Sequence, residues 1–211
     1  MRLRFAAALA LIAGVSTSAV AQGPDKPPRG LATDGLAGES VALLPVTLAV
    51  ATAALRGDTA ITGLGDHRHV LRWADSVIGE EFQGRAPEVT WILAPRLRQL
   101  ARRNPGMVPD PDQMGQAILR APKLTKIPDP LRSSLRSLVA VTGGRYAMAP
   151  AALGFSRDST GALRADLALA LADSRSGTVI WRSSTFGTGA SPGEALAAAV
   201  TAILPGAGSG P

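Results

Sequence analysis

Leu163-Arg-Ala-Asp-Leu-Ala-Leu-Ala-Leu-Ala-Asp173 runs through Ser-Arg-Ser-Gly177 into Thr178-Val-Ile-Trp-Arg-Ser-Ser-Thr-Phe186. This stretch reads as a β-hairpin. From Leu163 to Ala172 the chain alternates with period two. Leu163, Ala165, Leu167, Leu169 and Leu171 take one face, and Arg164, Asp166, Ala168 and Ala170 the other, the signature of a strand with one face on a core. Asp158-Ser-Thr-Gly161 is a turn before it. Asp173 to Gly177 is a hairpin loop, in which an Asp side chain can bond the loop backbone and a Gly can take positive φ. Trp181 then covers the sheet.

Arg145 to Leu153 reads as the strand before this hairpin. After it, Ser191 caps a helix, Pro192 takes the first helical position, Glu194 completes a capping box, and an Ala/Leu/Val/Ile run continues to Leu204. Upstream, Glu39 to Val50 (ESVALLPVTLAV) is almost continuously apolar, as in a central strand, with Pro45 marking a bulge or an exposed edge because proline lacks a ladder donor. Residues 51–66 show no period. Val70, Trp73, Ala74, Val77, Ile78 and Phe82 fall on one face of a helix over His69 to Gln83. Val89 to Leu93 is a short strand and Pro95 to Asn104 a helix. Asp110-Pro111 and Asp129-Pro130 each pair a cap residue with a proline, starting two more helices, the second ending at Gly143-Gly144. The order β-α-β-α-α-α-β-β-β-α over residues 39–204 predicts one α/β (α+β) domain: a mixed sheet of about five strands with helices packed on it.

The ends read differently. Arg2 and Arg4 precede the apolar run Phe5 to Val15, and Ala19-Val20-Ala21 is a small-x-small site before Gln22. Residues 1–21 are therefore read as a signal peptide cleaved between Ala21 and Gln22, too short to span a bilayer. Residues 22–38, rich in Gly and Pro, read as a disordered leader, and 205–211 as a disordered tail. Cleavage leaves 20 basic against 16 acidic residues, a mildly basic chain of 190. The chain has no Cys, which rules out disulfides, zinc–thiolate sites and a lipid-modified cysteine. Export and the lack of aromatics among the basic residues argue against nucleic acid.

Three segments carry a resemblance. Val41-Ala-Leu-Leu-Pro-Val46 looks like an opening strand, Ile92-Leu-Ala-Pro-Arg-Leu97 like a second strand entering a helix through proline, and Leu169 to Trp181 like a hairpin with Asp, Gly and Trp at set places. Together they resemble a group of bacterial envelope domains: the amino-terminal domain of TolB, the periplasmic domain of the curli secretion channel, and the lipoprotein activators of penicillin-binding proteins. The resemblance implies this fold and a periplasmic, non-enzymatic, partner-binding habit. The chain lacks the lipobox Cys, the propeller and the membrane hairpins of those proteins, so anchoring, pore formation and TolB's partner binding are not implied.

Chemistry-bearing motifs are sparse. No G-x-S-x-G elbow or phosphate loop occurs, Gly63-Leu-Gly65 lacks a third glycine, and Glu80-Glu81 point different ways on a helix. His67 and His69, with Asp66, are candidate metal ligands; the competing reading is a helix start capped by Asp66. Trp73, Trp91 and Trp181 either line a groove or pack in the core. Arg96 to Arg136 holds nine basic and three acidic residues, and Arg98, Arg102 and Arg103 within it are the candidate partner-binding residues, as a patch for an anionic face. The expectation is an exported, soluble, non-enzymatic envelope adaptor without a cofactor, periplasmic or secreted, with no membrane span after cleavage. Its partner is a periplasmic or outer-membrane protein or an anionic envelope component. The alternatives are a metal- or small-ligand-binding protein using His67 and His69, and a hydrolase.

Overall fold

The computed structural model of the chain describes residues 30–55 and 57–204. The signal peptide, the cleavage point between Ala21 and Gln22, residues 22–29 of the leader and the tail from 205 lie outside the described residues. The elements in order are β1 (Ser40–Leu43), β2 (Ala49–Ala51), α1 (Thr59–Thr62), α2 (His67–Arg85), β3 (Thr90–Ile92), α3 (Ala94–Arg103), α4 (Leu131–Ala140), β4 (Tyr146–Arg157), β5 (Leu163–Asp173), β6 (Thr178–Gly189) and α5 (Pro192–Thr201). They build one mixed sheet in the order β3-β1-β4-β5-β6, and β2 pairs β4 further along its length. β1 is parallel to both β3 and β4, whereas β4, β5 and β6 form an antiparallel meander.

The hairpin follows its sequence. Leu163, Ala165, Leu167, Leu169 and Leu171 are all buried, in one cluster with Ile78 and Phe82 of α2 and Leu196 and Val200 of α5. Each buried Leu contributes about 2 kcal/mol. The Asp173 carboxylate accepts from the backbone N–H groups of Arg175 (2.9 Å) and Ser176 (3.3 Å) and from the Arg145 guanidinium (2.6 Å). The Arg145 guanidinium, ahead of those backbone bonds, holds it down at about 2. Gly177 takes φ +67°. Trp181 is buried, and its indole N–H donates to the Gly30 carbonyl at 3.1 Å. A second cluster covers the opposite face, where Leu97 of α3 and Leu131, Leu135 and Leu138 of α4 meet Ala147, Ala149, Ala170 and Ala172.

Four readings of the sequence are corrected. The apolar run 39–50 is two strands, so the sheet has six, because Pro45 interrupts the ladder between β1 and β2. The helix expected after Asp110-Pro111 is a pair of 3₁₀ turns, Pro111–Gln113 and Gln116–Arg120, parted by Gly115 at φ +70°. Asp110 does cap the first, its carboxylate accepting from the Asp112 N–H at 3.0 Å. Residues 51–66, read as irregular, include the end of β2 and the single turn α1. The leader is also too long: Leu31 and Leu36 are buried in the first cluster, and the Leu31 N–H donates to the Ile203 carbonyl at 2.9 Å. Two leucines suffice to dock a segment whose Gly and Pro content hides any period.

α5 lies against β6 so closely that a Cβ on Gly187 would run into the α5 backbone at Ala195 and Ala199. Gly154 in β4 faces only Asp166, at 3.8 Å. Gly187→Ala should therefore cost about 3 kcal/mol in urea unfolding through overpacking, whereas Gly154→Ala should be neutral or stabilising by about 0.5 kcal/mol.

Candidate functional site

The site begins at the break in the sheet. Where Pro45 parts β1 from β2, buried backbone groups lose their ladder partners and need others. The Val46 N–H donates to the Asp75 carboxylate at 2.6 Å, and the Pro45 carbonyl accepts from the Gln116 side-chain amide at 2.5 Å. Asp75 comes from the buried face of α2, and Gln116 from the second 3₁₀ turn. The other Asp75 oxygen accepts from Arg98 of α3 at 2.6 Å. Arg98 also forks onto Asp112, with Nε 2.9 Å and Nη2 2.7 Å from its two oxygens. One chain of charge-assisted bonds thus ties the sheet break, α2, α3 and the turn at 110–113 together.

Over this network opens a groove of about 410 Å³, with Val46 among its lining residues and His67, Arg68, Arg72, Arg98, Asp110, Asp112 and Gln113 supplying its polar groups. α2 delivers His67, Arg68 and Arg72 because its cap fixes where it starts. The Asp66 carboxylate accepts from the His69 N–H at 2.9 Å, and the helix begins at His67, two residues ahead of the sequence-predicted start.

The candidate residues separate. The Arg98 side chain is only 15% exposed and is held by two carboxylates, so it does not join Arg102 and Arg103 in one surface patch. Those two are exposed, at the end of α3. His67 lines the groove, but His69 Nδ1 sits 2.9 Å from Asp66. Two residues apart on a helix, the histidines point to different sides. Among the described residues, no group of three or more His, Asp or Glu stands close enough to hold a metal ion. Trp91 packs edge-on against Phe82, with ring centres 4.7 Å apart, and Trp73 lies 6.1 Å from Phe155. Neither tryptophan lines the groove. Sequence reasoning missed Asp75, Gln116, Arg68 and Arg72. The signal for Asp75 was an acid beside Ala74 and one turn before Ile78, on a helix face that otherwise buries.

Burial pushes the Asp75 carboxyl up to about 6, against the pull of the Val46 N–H and Arg98. A carboxyl that holds its proton more tightly in the folded chain than in the unfolded one loses stability on ionising. Its contribution falls as the pH rises from about 4 to about 6 and is level above that.

Comparison of the sequence with protein-family models found no match, and comparison with curated proteins found none. Among solved structures the chain is similar to bacterial envelope domains. The C-terminal domain of LpoB from Salmonella enterica is 15% identical, with 72% of this chain and 85% of that one covered and a TM-score of 0.38. A PelC dodecamer from Paraburkholderia phytofirmans is 13% identical, with 85% and 94% covered and a TM-score of 0.39. A lipoprotein from Neisseria meningitidis is 14% identical, with 72% and 81% covered and a TM-score of 0.35. These are distant likenesses in the course of the chain.

Arg98→Ala should cost about 3 kcal/mol in urea unfolding, because it strands the buried Asp75 charge, while Arg102→Ala stays within about 0.5 kcal/mol of the wild type. Unfolding at a series of pH values should show the wild type losing stability relative to Asp75→Asn between about pH 4 and about pH 6. In Arg98→Ala that loss should extend to higher pH, since the cation that favours ionised Asp75 is gone.

Proposed function

We propose that the chain is an exported, non-enzymatic envelope protein that binds a protein partner through an uncovered part of its sheet. The observation that supports this reading is a row across four strands, Val50–Gly154–Asp166–Phe186, set by the pairing register. On this face the second cluster takes in Ala172 and Ala170, with Ala168 packed at its margin, and goes no further along β5. Beyond them Phe186 is 41% and Val50 57% exposed. The Arg164 guanidinium lies over the Phe186 ring, 3.8 Å from its centre, and pairs with Asp166 at 2.8 Å. The cation is thereby held flat on the aromatic ring. Exposed apolar groups with a polar rim are what a protein partner covers.

The edge of β6 supports the same reading. Its first residues are capped by the segment before α4: the Val179 N–H donates to the Thr125 carbonyl, and the Arg182 guanidinium reaches the carbonyls of Leu119, Pro122 and Leu124. From Ser183 to Gly189 no such cover exists among the described residues, and the strand carries no Lys, Glu or Pro there. Natural proteins seldom leave so long an edge bare unless something pairs with it. Export rests on the pattern of residues 1–21. Arg102 and Arg103 offer a second, cationic contact on α3.

A photocrosslinking residue placed at Thr188 should give one discrete adduct in the periplasm, and the same residue at Ser133 on α4 should give none. Phe186→Glu should weaken that adduct about tenfold without moving the melting temperature. Equal labelling from both positions, or an adduct indifferent to Phe186→Glu, would count against this surface. Mass spectrometry of the exported chain should find Gln22 at its amino terminus.

A further inference from the structure

We infer that the groove beyond the carboxyl end of β1 is a ligand site for a phosphate group, held by Arg68 and Arg72 of α2. The topology places it where such sites form. From β1 the chain passes through α2, on one face of the sheet, to β3. It then returns through α3 and α4, on the other face, to β4 on the far side of β1. In sheets with parallel strands, ligands bind in the crevice outside the carboxyl ends where the connections part to opposite faces. The groove occupies that crevice, between α2 and α3 with Val46 at its base.

The bonding within the groove selects the ligand's charge. Its acids already have donors. Both Asp112 oxygens are on Arg98, and Asp110 accepts from the Asp112 N–H and from the Gln113 side chain at 3.3 Å. Both oxygens of Asp75, below, are taken by Val46 and Arg98. The groove's remaining cations have none: neither the Arg68 nor the Arg72 guanidinium makes a hydrogen bond or ion pair among the described residues. Four residues apart on α2, they stand one above the other on the same side of the helix. Two planar forks so stacked suit an oxyanion with several acceptor oxygens. His67 beside them adds a ring donor, and about 410 Å³ leaves room for a phosphate and the small group it esterifies. The phosphate can belong to a soluble ester or to a lipid headgroup. The site shares no residue with the sheet face proposed for a protein partner, so either can fail alone.

The test is calorimetric titration of the exported chain with inorganic phosphate and with glycerol 3-phosphate, beside cosedimentation with phosphatidylglycerol vesicles. Arg68→Gln/Arg72→Gln should weaken binding about tenfold or more, and Arg102→Gln/Arg103→Gln should leave it unchanged. Both pairs are exposed, so melting temperatures should match the wild type. Binding of the soluble phosphates, lost in the first pair, establishes the site with a soluble ligand. Binding of vesicles alone, lost in the first pair, establishes it with a lipid headgroup. No binding in either arm, or binding that the first pair leaves intact, overturns the inference.

Discussion

Everything around the candidate site depends on one backbone constraint: Pro45 cannot continue the ladder between β1 and β2, and the groups it frees lie in the core. The Val46 N–H and the Pro45 carbonyl would each cost about 1–3 kcal/mol if left unmade. Asp75 and Gln116 take them up. Once a carboxylate is buried for that purpose it needs a cation, and Arg98 supplies it. Arg98 has more donors than Asp75 can accept, and its Nε and Nη2 also bond Asp112. The groove is the outer surface of this sequence of compensations. A ligand site there is rigid for a structural reason, because the bonds that close the sheet break also fix the spacing of α2, α3 and the turn at 110–113.

The two ends of the chain's organisation were unequally legible. The hairpin from Leu163 to Phe186 could be read because strand burial, turn chemistry and the Trp181 cover are all local. α5 could be read because Ser191, Pro192 and Glu194 place its start without reference to anything distant, and the Glu194 N–H does donate to Ser191 at 3.2 Å. Pro45 announced a disturbance, but the residues that resolve it are 29 and 71 positions away, and no local period points to them. Asp110-Pro111 gave a sound start signal for a helix that Gly115 then stops. Leu31 and Leu36 were hidden in a segment whose composition argues for disorder.

Of the candidate site, His67 was visible in the sequence, but its role was tied to His69, which the helix turns toward Asp66. Arg98 was visible as a basic residue and misread as surface. Its spacing from Arg102 matches an exposed face, and only the position of Asp75 on a neighbouring helix makes it interior. The Phe186 face could be anticipated only in part. The alternation put Arg164 and Asp166 opposite the leucines, but how far the second layer of helices extends is set by packing between elements far apart in sequence.

The measurement that bears most directly on this account is hydrogen exchange at the Val46 amide, resolved by NMR at neutral pH. Held by a buried carboxylate, that proton should exchange as slowly as those in the centre of β4 and β5, and Asp75→Ala should release it while β5 stays protected. Fast exchange at Val46 in the wild type, or protection that survives Asp75→Ala, would contradict the claim that Asp75 closes the break.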